Sequence, residues 1–108
     1  MPIADLVTQT VTTNGLLSIS LTGEITFLER EPLRSAINGL SENPPATGIE
    51  LDLRNVFHID SSGVALLIDM YRKFCGQVSV IVAESSQPER IMTRTNVTDL
   101  LNVRSVFT

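Results

Sequence analysis

The feature that most constrains this chain is a switch of hydrophobic period between residues 49 and 83. Ile49, Leu51 and Leu53 alternate with Glu50 and Asp52, the two-residue period of a strand with one buried face. From Ser61 the period lengthens. Val64, Leu67, Ile68, Tyr71 and Phe74 share one face of a helix that Gly76 is placed to end. Val78 to Ala83 then runs nearly all apolar and β-branched, which predicts a strand covered on both faces. A strand, a helix and a strand in this order pair in parallel through a right-handed crossover. On the polar side of the helix, Asp69 stands four residues before Lys73, an ion pair worth about 0.3 kcal/mol.

The flanking segments extend this unit. Asn14-Gly15 suits a type I′ turn, which needs two residues tolerant of positive φ, and it divides Leu6 to Thr12 from the alternating Leu17, Ile19 and Leu21. An opening antiparallel hairpin is therefore expected. Leu33, Ala36, Ile37 and Leu40 form one helical stripe. Pro32 suits only a first turn, which predicts a start near Glu29 to Glu31, and Asn43-Pro44-Pro45 is read as the stop. Ser86-Gln87-Pro88-Glu89 has the pattern of a capping box and opens a helix of about ten residues. Asp99-Leu100-Leu101 is read as a helical turn and Arg104 to Phe107 as a last edge strand. The predicted fold is α/β, with the order β-β-α-β-α-β-α-(β). It is a single domain over residues 1–108, a mixed sheet with an opening antiparallel hairpin and packed helices.

Composition removes several function classes. With 108 residues, 43% hydrophobic and 19% charged, the chain suits one globular core. Eight scattered basic residues and a net charge of −4 leave no basic stripe for nucleic acid. The longest apolar run, Val64 to Ile68, is far short of the roughly 20 residues that span a bilayer. The start, Met1-Pro2-Ile3-Ala4-Asp5, shows no secretory signal, so a cytoplasmic location is expected, without membrane insertion. Cys75 and His58, one of each type, cannot build a four-ligand zinc site, and Cys75 reads as a packing residue. Met70 and Met92 read as core. No phosphate loop, G-x-G-x-x-G or G-x-S-x-G motif is present. His58 stands three residues before Ser61, yet nothing orients its imidazole, and a partly exposed loop histidine is the simpler reading. The expectation is a non-enzyme with no cofactor.

The informative segment is Ile59-Asp60-Ser61-Ser62-Gly63-Val64, where a strand gives way to a helix. Two readings share this geometry. In one, Asp60, Ser61 or Ser62 simply caps the helix by accepting from a free backbone N–H. In the other, a serine here takes a phosphate, which a helix N-terminus accommodates readily. That phosphate would add about −1.5 to −2 charges beside Asp60 and repel a partner that accepts the neutral hydroxyl.

Leu51-Asp52-Leu53 followed by Val56-Phe57-His58-Ile59-Asp60-Ser61-Ser62-Gly63-Val64-Ala65-Leu66-Leu67 resembles the core signature of the STAS domain, the fold of bacterial anti-sigma factor antagonists. Leu21-Thr22-Gly23-Glu24-Ile25 is a second, supporting patch, although Thr26 stands where the family usually has aspartate. The resemblance implies that Ser61 is the phosphoacceptor, with Asp60, Ser62 and Gly63 completing the partner-binding site. It implies an anti-sigma factor that is also a serine kinase as one partner, and a metal-dependent serine phosphatase as the other. ATP and magnesium would belong to the kinase. Two other roles within the same resemblance are an accessory subunit of a lipid-transporting ABC complex and a stressosome-like scaffold. A transporter tail is not expected, because no membrane segment precedes the domain.

Overall fold

Three strand–helix–strand units follow one another in the chain, and they fix most of the architecture. The computed structural model describes residues 7–42 and 46–107, with side chains from Thr13 onward. The elements are β1 (Val7–Thr13), β2 (Leu16–Ile25), α1 (Phe27–Leu40), β3 (Gly48–Ile59), α2 (Ser61–Lys73), β4 (Val78–Ala83), α3 (Gln87–Arg94) and β5 (Val103–Val106). The sheet order is β1-β2-β3-β4-β5, the order of the chain itself. The expected turn at Asn14-Gly15 has both residues at positive φ, +53° and +83°.

The expectation of a mixed sheet founded on an opening antiparallel hairpin needs correction. The body of the sheet, β2 to β5, is parallel at every pairing. Antiparallel pairing is confined to β1, which joins β2 at the margin. The reason lies in the chain order. Each of the three helical crossovers forces a parallel pair, whereas one tight turn can add only one strand at the edge.

A second correction follows from the same order. Successive right-handed crossovers that always step in one direction place all three helices on one face of the sheet. The strands show it. Leu17, Ile19, Leu21, Ile49, Leu51, Leu53, Val78, Val80 and Val82 are buried, and the residues between them are only half-buried. The expected double cover of Val78 to Ala83 is therefore absent. Against the covered face pack Leu33 and Ile37 of α1, Val64, Leu66, Leu67 and Met70 of α2, and Met92 of α3. The opposite face carries polar rows, which lets a largely parallel sheet leave one side to water. Ser18, Glu50 and Ser79 are aligned across three strands, and Ser20, Asp52, Ile81 and Arg104 across four.

Helix α1 begins at Phe27, earlier than Glu29 to Glu31, and takes Pro32 into its interior. The backbone N–H and hydroxyl of Thr26 both donate to Glu29 Oε1, at 3.0 and 2.6 Å, and Glu29 N donates to Thr26 O at 3.1 Å. This capped first turn outweighs the one helical bond that proline forgoes on the exposed side. Asn43-Pro44-Pro45 lies outside the described residues, as do Met1 to Leu6. Asp69 bonds Arg34 and Arg30 of α1 in place of its neighbour Lys73, tying the two helices together. Residues 98–101 form turns without a helix, and α3 spans eight residues. No described helix is long and apolar enough to cross a membrane.

On the open face, Asp52 receives Arg54 Nε at 2.9 and 3.1 Å, Arg54 Nη2 at 2.7 Å and the Ser20 hydroxyl at 3.4 Å. The Arg54 hydrogen bond holds the Asp52 carboxyl below its ordinary value near 3.8. A depressed folded pKa contributes stability that is complete above that value and is lost as pH falls through the folded pKa. Asp52→Asn should therefore lower the melting temperature at pH 7, and the gap to wild type should close as pH falls from 4 towards 2. Melts across that range check this; a constant gap would show that ionisation of Asp52 contributes nothing.

Candidate functional site

Each helix follows a strand of the parallel set, so all three begin at the same edge of the sheet, where the strands end. The first turns of α1 and α2 meet around one carboxylate. Asp60 leaves β3 in an extended conformation and caps α2: its Oδ1 accepts from Gly63 N at 3.0 Å. Its Oδ2 accepts from Phe27 N, the first residue of α1, at 3.3 Å. One side chain thus satisfies the starts of two helices. Asp60 N in turn donates to Ile25 O at 3.2 Å, carrying the β2–β3 pairing one residue past the strand end.

The third helix joins through Gln87. Ile59 N donates to Gln87 Oε1 at 2.8 Å, and Gln87 Nε2 donates to Ile59 O at 2.9 Å. The start of α3 is fixed independently. Ser86 Oγ accepts from Glu89 N at 3.3 Å, and Glu89 Oε1 accepts from Ser85 N at 3.0 Å. Hydrogen bonds from Ser105 and Ser85 hold the Glu89 carboxyl below its usual range.

The four consecutive site residues read from the sequence therefore have distinct places. Asp60 is the cap and is half-buried. Ser61 is the first residue of α2 and is exposed. Ser62 is half-buried and Gly63 is buried. A Cβ on Gly63 would lie 2.4 Å from Ile59 Cγ1 and 2.7 Å from the backbone oxygen of Ile25, so packing requires glycine here. Of the three candidates for the cap, Asp60 takes the role, which leaves the Ser61 hydroxyl outside the helix-starting bonds described. His58 lies within β3, not on a loop, opposite Glu24, and is half-buried. Among the described residues no hydrogen bond joins His58 to Ser61. Thr26, in the position where aspartate is usual, closes the capping box of α1.

Sequence reasoning missed the apolar residues beside the site. Phe27 is 72% exposed and Leu28 78%, both in the first turn of α1, whose backbone Asp60 holds; Phe57, three residues before Asp60, is 67% exposed. A signal was available. At roughly 100° per residue, Leu28 falls about 120° or more from each of Leu33, Ile37 and Leu40, and Phe27 about 110° from their mean direction, so both lie off the core stripe. In the sequence, Gln87 stands out only as part of a capping pattern. No three His, Cys, Asp or Glu side chains among the described residues come together in a metal-binding arrangement.

Comparison with known proteins places this geometry. The family model of the STAS domain matches residues 8–107. No curated protein sequence matches the chain. Among solved structures, an anti-sigma factor antagonist from Mycobacterium paratuberculosis superposes with a TM-score of 0.73 at 22% identity, covering 92% of this chain and 86% of that one. The anti-sigma factor antagonist SpoIIAA in its unphosphorylated form gives 0.58 at 24% identity, over 80% of each chain. The Bacillus cell fate determinant SpoIIAA in its phosphorylated form gives 0.64 at 21% identity, over 91% of this chain and 89% of that one. At these identities the likeness is one of fold.

The packing at Gly63 makes a direct prediction. Alanine gains up to about 1 kcal/mol in helix propensity, but forcing a methyl against Ile59 and the Ile25 carbonyl costs about 1–3 kcal/mol. Gly63→Ala should be less stable than wild type by about 1–2 kcal/mol in urea denaturation. A variant as stable as wild type would show that the β2 end yields freely.

Proposed function

The chain belongs to the STAS domain family, and we propose that it acts as an anti-sigma factor antagonist, a protein-binding module switched by phosphorylation of Ser61. The observation that carries this reading is the exposure of Ser61 at the start of α2 beside the exposed Phe27 and Leu28. Large apolar side chains left in water next to an exposed hydroxyl fit a surface that another protein covers. In this reading the unmodified chain binds an anti-sigma factor that is itself a serine kinase. Asp60, Ser61, Ser62 and Gly63 form the centre of the contact, with Phe27 and Leu28 at its side. The chain supplies a hydroxyl and a docking face and carries out no chemistry itself; ATP and magnesium come with the kinase. The existence of SpoIIAA structures in unphosphorylated and phosphorylated forms supports a switch of this kind on this fold.

Physical chemistry gives the direction of the switch. A phosphate on Ser61 brings about −1.5 to −2 charges, and Asp60 beside it has already committed both carboxylate oxygens to backbone N–H groups. A partner covering Phe27 and Leu28 would have to strip water from that dianion, at several kcal/mol unless a cation answered it. Release follows without a change of fold. A metal-dependent serine phosphatase would then return the chain to its binding form.

Phosphopeptide mass spectrometry on protein from its own cells, in growth and under stress, tests the modification. Phosphate on Ser61 with changing occupancy is expected. A Ser61→Ala chain should capture the kinase stably, and Phe27→Ala should weaken that capture about tenfold or more, with an unchanged melting temperature. An unmodified Ser61 in every condition, with the chain held in a stable membrane complex, would overturn the switch and favour an accessory-subunit role.

A further inference from the structure

We propose that Gln87 is a positioning residue for Ser61: its carboxamide replaces a missing neighbouring strand at Ile59 and fixes how the chain delivers Asp60 and Ser61. The inference rests on the phosphoacceptor reading of Ser61. Strand β3 is long, and β4 pairs with it only from Ile49 to Asp52. Beyond that stretch its outer edge has no partner strand among the described residues, and an unpaired strand edge is free to shift or fray. At Ile59, the last residue of the strand, one planar amide offers an acceptor and a donor together, at 2.8 and 2.9 Å. That is the acceptor and donor that two peptide groups of a neighbouring strand would supply.

The consequence passes directly to the site. Ile59 pairs with Ile25 of β2 on its inner side and with Gln87 on its outer side, and its side chain is fully buried against the Gly63 position. Asp60 follows it and must reach Gly63 N and Phe27 N at once, at 3.0 and 3.3 Å. The second bond is already near the limit for N–H···O, so a small displacement of Ile59 breaks it. The start of α1, with Phe27 and Leu28, would then lose its register with Ser61. Gln87 is free for this task because Ser86 already caps α3 and Pro88 supplies the favoured first-turn residue. Where α3 sits therefore decides how the hydroxyl is presented to a kinase, although α3 does not carry that hydroxyl.

Two substitutions separate this role from a merely structural one. Gln87→Glu keeps the shape but at neutral pH turns a carboxylate oxygen towards the Ile59 carbonyl; protonation through the glutamate range, about 4.3, restores the donor. Gln87→Met loses both bonds at every pH. In ¹H–¹⁵N spectra referenced to wild type at the same pH, the amides of Ile59, Asp60, Ser61 and Gly63 should move in both variants at pH 7. Acid should return them towards wild type in Gln87→Glu alone. With the kinase captured on the Ser61→Ala chain, kcat for transfer to Ser61 should fall about tenfold in Gln87→Met while KM changes less than threefold. Unmoved amides, no return on protonation, or a loss confined to KM would overturn the proposal. If the wild-type chain takes no phosphate at Ser61, the switch reading fails, and the amide pattern still decides the role of Gln87.

Discussion

The right-handed crossover, taken three times in one direction, is the constraint on which the rest of this structure depends. It makes the body of the sheet parallel, puts the three crossover helices on one face, and brings their starts to one edge. The two faces then divide the work. Branched aliphatic side chains fill the covered side, while serine, threonine, glutamate and aspartate coat the other. The crowded edge brings a specific difficulty, because three first turns carry backbone N–H groups without intrahelical partners. Asp60, Thr26 with Glu29, and Ser86 with Glu89 answer it, and Asp60 answers for two helices at once.

That arrangement bears on what a phosphate at Ser61 could do. A helix terminus favours an anion by about 0.3–1 kcal/mol, and a nearby carboxylate at an exposed, screened position opposes it by a similar amount. The two effects roughly cancel within the isolated chain, so the modified chain has little reason to refold. The balance changes once a partner excludes water. Screening is then lost, and the cost of an unanswered dianion grows to several kcal/mol. The switch in this reading belongs to the interface, not to the fold.

The order of elements and the position of the Asp60–Gly63 motif were legible because each rests on local pattern: two hydrophobic periods and a capping residue between them. What was not legible depends on competition or on distance. Pro32 signals a first turn, although Thr26 and Glu29 stand at capping-box spacing three residues apart; two reinforcing bonds outweigh one proline. The apolar run of β4 suggested cover on both sides, and only the strand order shows that one side is open. Asp69 had a suitable neighbour in Lys73, yet packing of α1 on α2 brought Arg34 closer. No spacing rule could connect Gln87 with Ile59, which lie 28 residues apart.

These residues fall into two groups with different freedoms. Asp60, Gly63, Ile59 and Gln87 hold the site through backbone bonds and buried contacts, so their identities answer to this chain's own geometry. Ser61, Phe27, Leu28 and Phe57 project into water, so the fold places few demands on their chemistry. Thr26 is a position where the two requirements meet. The Thr26 hydroxyl donates to Glu29 Oε1, a bond that an acceptor-only aspartate carboxylate could not supply, and it brings no charge of its own beside Phe27. Threonine here serves the first turn of α1 and sets the electrostatic character of the surface beside Phe27 at the same time. In the switch reading, substitutions at Phe27, Leu28 or Phe57 would alter the choice of partner without disturbing the strand end that holds Asp60.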